Sequence, residues 1–571
     1  MIPTVALVLL GACGTVSQEE RPNVVLVMSD DQGLGDFSHA GHGVLATPNL
    51  DRLAAASPQV KRFYVSPVCS PTRACLMTGR YNYRTRVVDT WIGRSMMEPD
   101  EVTVAEILNA AGYATGIFGK WHLGDCYPLR PIDQGFEVAL VHRGGGLAQP
   151  SEPPANAGRY TDPILFRNGE EVQTKGYCTD VYFDAALEFI DASLAAERPF
   201  FAYVATNAPH GPYGDVPEDL YEKYAESDLE PTLRGKSDQV DREAKICAMV
   251  ENIDRNVGRL LDHLERRGIT RETIVVFLND NGPVGGRYTR GLRGSKSSVY
   301  EGGIRAPLFV RWPGQLSPAT EVEPITAHID LLPTILAATG VPVPSGLHLD
   351  GRDLLPLLKG EGAGWSERTL FLQTHRGNTP GFERHFAVID QRWKLVRASG
   401  FGKHDPDRPF ELFDLQSDPG ETENIAVEHP ERVAALRAAY ADWFRDVSAT
   451  RPDNYSPPRI VVGNPAEKST VLTKQDRYSM EGEGWNNDGA WLLAAASTTE
   501  FEVFLLFAEP VEIDTARIQV GGEVFERGIG PGGTRVSLGR ITCPAGPFDL
   551  RVEASSGGAE VNVHQVLLRG L

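Results

Sequence analysis

The stretch "NVVLVMSDDQG", residues 23–33, sets five apolar side chains together without alternation and then stops on two carboxylates. An unbroken apolar run of this length reads as a strand covered on both faces, the habit of parallel sheets. Three more runs repeat the pattern: "YATGIFGKWH" (113–122), "PFFAYVATNAPH" (199–210) and "TIVVFLNDNG" (273–282). Helical stretches stand between them. "VTVAEILNAAG" (102–112) ends on a glycine, which favours helix termination. Ile246, Val250, Ile253, Val257, Leu260, Leu261 and Leu264 are spaced for one apolar helix face ahead of the last run. This alternation predicts an α/β domain, a mostly parallel sheet sandwiched by helices.

In open sheets of this kind ligands bind beyond the carboxyl ends of the strands. The residues after each run are therefore the informative ones. Asp30 and Asp31 follow the first, Lys120 and His122 the second, His210 the third, Asp280 and Asn281 the fourth. Each alone is ordinary, since an Asp pair often caps a turn and a lone His or Lys is usually structural or solvated. Delivery from four strands to one edge predicts a site. Asp30, Asp31, Asp280 and Asn281 all offer oxygen, the ligand type of hard cations such as Ca²⁺ and Mg²⁺. No Cys-x-x-Cys or His-Glu-x-x-His occurs, which disfavours zinc. Arg73, Lys120, His122, His210 and Lys296 supply cationic and proton-transfer groups, Lys296 from the Gly-rich "GLRGSKSSVYEGGIR" (291–305). A divalent cation with several cationic side chains suits an anion with tetrahedral oxygens, phosphate or sulfate.

A chain of 571 residues predicts two or three domains. We place a catalytic α/β domain at 21–364, a small α+β subdomain at 365–450, a Pro-rich linker at 451–465 and a β-sandwich module at 466–571. The subdomain rests on "TLFLQT", "HFAVID", "WKLVRA" and the amphipathic "RVAALRAAYADWF" (432–444). The module rests on "FEVFLLF", "ARIQV", "FDLRVE" and "VNVHQVLL", divided by turns. The net charge of −20 argues against nucleic acid as a partner. It also requires that an anionic substrate be held by a local basic pocket. Seven cysteines without a framework spacing argue against a disulfide scaffold. No internal apolar run reaches the ~18–20 residues of a transmembrane span. Residues 1–20, "MIPTVALVLLGACGTVSQEE", read as an export signal, and Leu10-Gly11-Ala12-Cys13 is similar to a bacterial lipobox with Cys13 as the lipid-anchored residue. The expected location is periplasmic, outer-membrane-anchored or extracellular.

"SPVCSPTRACLMTGRY" (66–81) raises a separate question, because its Cys69 is soft among hard oxygens and as a nucleophile would want a base such as His122. The segment resembles the signature of the sulfatase family, Cys-x-Pro-x-Arg followed by Thr-Gly. "VVLVMSDDQGLGD", "GKWHLG", "NAPHGP", "NDNG", "GLRGSKSSVYEGGIRAP", "HIDLLPTILAATG" and "ELFDLQSDPGETENIA" resemble further motifs of that family, in its order. The likeness covers roughly residues 21–447 and leaves the β module out. It implies the alkaline-phosphatase superfold and conversion of Cys69 to formylglycine by a formylglycine-generating enzyme that reads Pro71 and Arg73. It further implies one Ca²⁺ on Asp30, Asp31, residue 69, Asp280 and Asn281. One hydroxyl of the hydrated aldehyde would attack sulfur, and the other would expel sulfate. Arg73 would hold the diol, Lys120 and Lys296 would bind sulfate oxygens, His122 would take a proton during elimination, and His210, with Lys296, would protonate the leaving oxygen.

The expected activity is removal of sulfate from a sulfated carbohydrate or aryl sulfate. A phosphate ester or phosphonate hydrolase is the alternative, since one superfold hosts several chemistries. Trp91, Arg94, His142, Arg143, Arg290, His375 and Arg376 are candidate sugar-contacting residues, and "HRGGGLAQPS" (142–151) a loop that shapes the pocket or merely turns. In the β module, Trp491 precedes an apolar run and reads as core, while Tyr478 and Trp485 sit among polar residues and are the glycan-binding candidates. The module either binds glycan or buttresses the catalytic unit, and no site residue is assigned to it.

Overall fold

The structure, a computed structural model, describes residues 21–571 apart from 235–238, 480–484, 486–488 and 529–532. The expected export segment with Cys13 lies outside the described residues. Eight strands form the principal sheet: β1 (Asn23–Ser29), β2 (Ala114–Lys120), β3 (Val138–His142), β4 (Ile164–Arg167), β5 (Glu170–Gln173), β6 (Phe200–Ala205), β7 (Thr273–Asn279) and β8 (Leu308–Arg311), in the order β8-β7-β1-β6-β2-β3-β4-β5. The five central strands, β7 to β3, are parallel. Both edges are antiparallel: β8 at one side and the β4–β5 hairpin at the other.

The apolar run of β1 divides between two cores, as strand geometry requires. Val24, Leu26 and Met28 enter one with Tyr203 and Leu278, while Val25 and Val27 enter the other with Val204 and Phe277. The first face is covered partly by helices α1 (Cys69–Thr78) and α2 (Val104–Ala110), the second by α3 (Cys178–Ala195) and α4 (Val240–Arg266). Helix α2 starts on a reciprocal cap. Thr103 Oγ1 accepts from the Glu106 N–H (3.1 Å), and Glu106 Oε2 accepts from the Thr103 N–H (2.8 Å). The predicted apolar face of α4 serves two clusters. Ile253, Val257, Leu260, Leu261 and Leu264 pack on the sheet, whereas Ile246 and Val250 pack with Leu45, Leu220 and Tyr224.

An antiparallel sheet of β9 (Leu370–Gln373), β10 (Phe386–Ile389), β11 (Trp393–Arg397) and β12 (Glu411–Asp414) packs on helix α5 (Pro430–Ser448). Its core runs without a break into Tyr64, Cys75 and Tyr81 of the larger unit. The C-terminal region is a sandwich of two sheets, one including Trp491–Ala495, Thr515–Val520 and Gly546–Ser556, the other Ser469–Thr473, Thr499–Leu506, Arg535–Cys543 and Gln565–Gly570. Trp491 is buried there as expected. The sandwich core is not closed on itself, because Met96, Cys126 and Leu129 of the larger unit belong to it. Among the described residues no helix is long and apolar enough to cross a membrane.

Candidate active site

Register brings the strand ends level. Ser29 lies opposite Asn279 and Met28 opposite Ala205, while Gly119 is also opposite Ala205. Asp30, Asp31, Asp280 and Asn281 therefore emerge side by side. Asp30, Cys69 and Asp280 bring ligand atoms within 4.8 Å of one another, and so do Asp30, Asp31 and His210. The Asn281 amide donates to Asp31 Oδ1 (2.8 Å) and the Gly282 carbonyl (2.9 Å). Its own oxygen and Asp30 Oδ1 are buried without a hydrogen-bond partner. Buried oxygens of this kind need a cation or a donor facing them. The oxygens of Asp30, Asp31, Asp280 and Asn281 fit a hard divalent ion such as Ca²⁺, whereas the Cys69 sulfur beside them is a poor match unless it is converted to an oxygen group.

Cations surround the carboxylates. Lys120 Nζ bonds Asp30, and Lys296 Nζ lies 2.6 Å from Asp31 Oδ1. Arg73 reaches Asp280 Oδ2 (2.9 Å), Asp30 Oδ2 (3.4 Å) and the Lys120 carbonyl (2.7 Å). Burial alone would raise the Asp30 carboxyl, but Lys120, His210, Arg73 and Lys296 together hold it well below the usual range. Asp280 is pushed up to about 7 by burial and by the charge of Asp30.

Cys69 is the first residue of α1, and Arg73 follows one turn on, so both side chains share a face. Thr72 Oγ1 donates to the Asp280 carbonyl (2.7 Å) and ties the start of the helix to the end of β7. Sequence reasoning missed this residue, although it occupies a variable position of the cysteine motif. Burial pushes the Cys69 thiol up despite Lys120 and Lys296. The unmodified side chain is thus a neutral thiol, a weak nucleophile.

The two histidines are fixed by carbonyls. His122 Nε2 is 2.8 Å from the Thr90 oxygen, which can only accept, so Nε2 carries the proton and the buried, unpartnered Nδ1 presents its lone pair. Burial, with Lys120 and Arg73 nearby, holds the imidazole well below its usual pKa. His210 Nδ1 donates to the Gly211 oxygen (2.6 Å), and its Nε2 lies 3.8 Å from Asp31 Oδ2. Burial and Lys296 lower its pKa while Asp31 opposes them. The loop 142–151 packs against both rings. A Cβ on Gly145 would come within 2.6 Å of His122 Cε1, and one on Gly146 within 3.0 Å of His210 Nδ1. The loop therefore lies directly against both imidazoles, and its glycines permit that approach. Lys296 is held by its neighbour Ser297, whose N–H donates to the Pro67 carbonyl (2.8 Å) and whose carbonyl is 2.8 Å from His385 Nε2.

The sugar-contacting candidates divide. Arg376 lies over the Trp91 ring (4.3 Å) and bonds Asp89 (2.6 Å), and Trp485 meets Trp91 edge-on (5.2 Å). These three form a shelf beside Thr90 and His122. Tyr478 is tied by backbone to Ala490. Arg94 is wholly buried, and burial pushes its guanidinium down to about 10. His142 is buried against the Arg143 carbonyl (2.9 Å), Arg143 lies over Phe166 (4.1 Å), and His375 accepts from the Gly381 N–H (2.8 Å). Arg290 lines a separate groove of about 650 Å³ with Lys61 and Arg305, which contains none of the site residues.

A second cluster, His42, Glu243 and Cys247, has donor atoms within 4.8 Å of one another. His42 Nδ1 accepts from the Leu45 N–H (3.1 Å), so its Nε2 bears a proton toward Glu243 and is not a free ligand.

The chain is similar to known proteins along most of its length. The profile of the Sulfatase family matches residues 22–341, and that of the N-sulphoglucosamine sulphohydrolase C-terminal region matches residues 294–440. Human arylsulfatase A is 32% identical over 473 residues, which cover 75% of this chain and 89% of that protein. The N-acetylglucosamine-6-O-sulfatase of Bacteroides thetaiotaomicron is 26% identical, over 84% of this chain and 94% of its own length. Among solved structures, Ps i-CgsB in complex with k-i-k-neocarrahexaose superposes with a TM-score of 0.65 at 26% identity, covering 76% of this chain and 94% of that one. A chain with this cysteine motif, this ring of strand-end carboxylates and these matches belongs to the sulfatase family and is a sulfuric ester hydrolase on the alkaline-phosphatase-like fold.

Proposed function

We propose that the chain removes sulfate from sulfated carbohydrates, using a formylglycine made from Cys69 and one Ca²⁺ held by Asp30, Asp31, residue 69, Asp280 and Asn281. The observation that carries this reading is that Asp30 meets Cys69 and Asp280 on one side and Asp31 on the other, with Asn281 bonded to Asp31 and with Asp30 Oδ1 and Asn281 Oδ1 buried and unpartnered. Carbohydrate as the substrate class is supported by relatives named as N-acetylgalactosamine-6-sulfatase and N-acetylglucosamine-6-O-sulfatase and by the neocarrahexaose complex of Ps i-CgsB. The Trp91, Arg376 and Trp485 shelf suits a sugar ring. Family membership sets aside the phosphate-ester alternative.

Bound Ca²⁺ supplies Lewis-acid polarisation of a sulfate oxygen. Formylglycine at residue 69, once hydrated, would supply a hydroxyl nucleophile and a second, ionisable hydroxyl. The chain's own groups do the rest. Lys120 and Lys296 bind sulfate oxygens from the ends of their pairs with Asp30 and Asp31. Arg73 keeps Asp30 and Asp280 in place and balances their charge. His122 Nδ1, with its lone pair free, accepts the proton of the second hydroxyl. His210, in its doubly protonated form, gives its Nε2 proton to the departing oxygen, with Asp31 favouring that form and Lys296 beside it. General acid–base help of this kind is worth ~10²–10⁴-fold.

The remaining parts of the reading are maturation by a formylglycine-generating enzyme, export directed by residues 1–20 with lipidation at Cys13, and the division 21–364, 365–450, 451–465 and 466–571.

Mass spectrometry of the peptide carrying residue 69, with metal analysis of the purified protein, tests the proposal. The peptide should lose H₂S and gain one oxygen, and about one Ca²⁺ per chain should be bound, with activity lost on chelation and restored by Ca²⁺. Full activity with unmodified Cys69, or stoichiometric zinc at this site, would overturn it. A second result is expected at His210. A phenol of low pKa hardly needs the proton that a sugar hydroxyl needs. His210→Ala should therefore reduce kcat on a sugar sulfate ~10- to 100-fold more than on nitrophenyl sulfate, and equal losses would assign His210 to binding instead.

A further inference from the structure

The C-terminal sandwich reaches into the site. The turn after its strand Ser469–Thr473 carries Gln475, whose side chain is buried 353 positions from His122 in sequence. The Gln475 amide nitrogen donates to the Thr90 carbonyl (2.9 Å) and to Ser95 Oγ (2.8 Å), and it lies 3.3 Å from His122 Nε2. The Gly93 N–H donates to the Gln475 carbonyl (2.8 Å), so backbone and side chain grip the same loop, residues 90–95. The turn is braced from behind, where the Trp491 indole N–H donates to the Thr473 carbonyl (2.7 Å).

We infer that Gln475 is a positioning residue for His122, so that the sandwich completes the active site. The Thr90 carbonyl has two lone pairs and receives two donors, the imidazole Nε2–H and the Gln475 amide. The second amide hydrogen is occupied by Ser95, which fixes the plane of the amide and the direction of the carbonyl. With that carbonyl fixed, the proton of His122 stays on Nε2 and the lone pair stays on Nδ1. Without the Gln475 amide the carbonyl loses one of its two donors and water gains access to Nε2, where it would support the other tautomer. Outer hydrogen bonds of this kind keep a reacting group within the narrow geometric range that catalysis needs. The inference rests on the reading of His122 as proton acceptor.

The test uses the full chain with Gln475→Ala and Gln475→Met, each alone and combined with His122→Ala. Turnover of a small aryl sulfate and thermal unfolding are both measured. Methionine keeps the volume of glutamine without its donors. Both single variants should lose ~10- to 100-fold in kcat, with KM changed less than about twofold, and Gln475→Met should unfold near the parent temperature. In the His122→Ala background, Gln475→Met should cost almost nothing further, as expected of residues acting as a unit. Parental kcat in Gln475→Met would make the residue a packing element and overturn the inference, and so would a full additional loss in the double variant. If Gln475→Ala does not fold, the methionine variant decides by itself. If His122→Ala alone turns over normally, the reading of His122 falls, a different outcome from failure of Gln475.

Discussion

Replacing Cys69 by alanine is expected to bring turnover of any sulfate ester down by ~10⁵-fold or more, the scale of losing a nucleophile, while the fold survives. None of the other described cysteines joins Asp30 and Asp280, and each is buried elsewhere. Residue 69 stands at the first position of α1, with the Val68 backbone extended before it. Alanine is well tolerated there, and the deleted sulfur should cost only about 1 kcal/mol of stability. Kinetics should therefore collapse with the unfolding temperature nearly unchanged. Cys69→Ser separates attack from release. A serine hydroxyl has no partner hydroxyl from which a carbonyl can re-form, so that variant should release at most one alcohol per enzyme and keep the sulfate ester. More than about 1% of the parental rate in Cys69→Ala would remove residue 69 from the chemistry.

The strands that carry the site were legible because they are buried on both faces. Val24 to Met28 leave no polar position to confuse the period, and β1 and β7 occupy the apolar parts of the quoted runs, each ending just before a carboxylate. The groups after them were legible for the same reason, since parallel register places successive strand ends in one row. The edges were not. Strand β5 reads Glu170-Glu171-Val172-Gln173, exposed or half-exposed throughout, and a short polar strand at a sheet edge has no distinguishing pattern. Helix α4 reads as one face in sequence, but at 27 residues it outruns the sheet, so its first turns pack on a different layer. Gln475 carried no signal. Its contacts with Thr90, Ser95 and His122 exist only because two layers far apart in sequence dock, and a single polar residue in a turn looks like any other.

The same docking sets the expected outcome of removing residues 466–571. The sequence alone allows a glycan-binding appendage as readily as a buttress. The shared core favours a buttress, because Met96 and Leu129 are about 1% exposed where the sandwich covers them, and Cys126 is buried with them. Burying a side chain of Leu or Met size is worth ~1.5–3 kcal/mol. Polar contacts go too: the Arg130–Glu467 pair at 3.6 Å, the Tyr127 N–H to Glu467 (3.2 Å), and Gln565 to the Ser151 and Glu152 carbonyls (3.4 and 3.2 Å). Ser151 and Glu152 anchor the loop that packs its glycines on His122 and His210, so this loss also reaches the site. At roughly 2 °C per kcal/mol for a unit of this size, the truncated chain should unfold ~5–10 °C lower. Without Gln475 it should also lose at least ~10-fold in kcat on a small aryl sulfate, and the loss on a long sulfated polymer should be no smaller. A chain that keeps its melting temperature and its aryl sulfate rate, and fails only on the polymer, would return the sandwich to the status of a separable glycan-binding module. The buried apolar seam and the Gln475 contacts argue that rate and stability fall together.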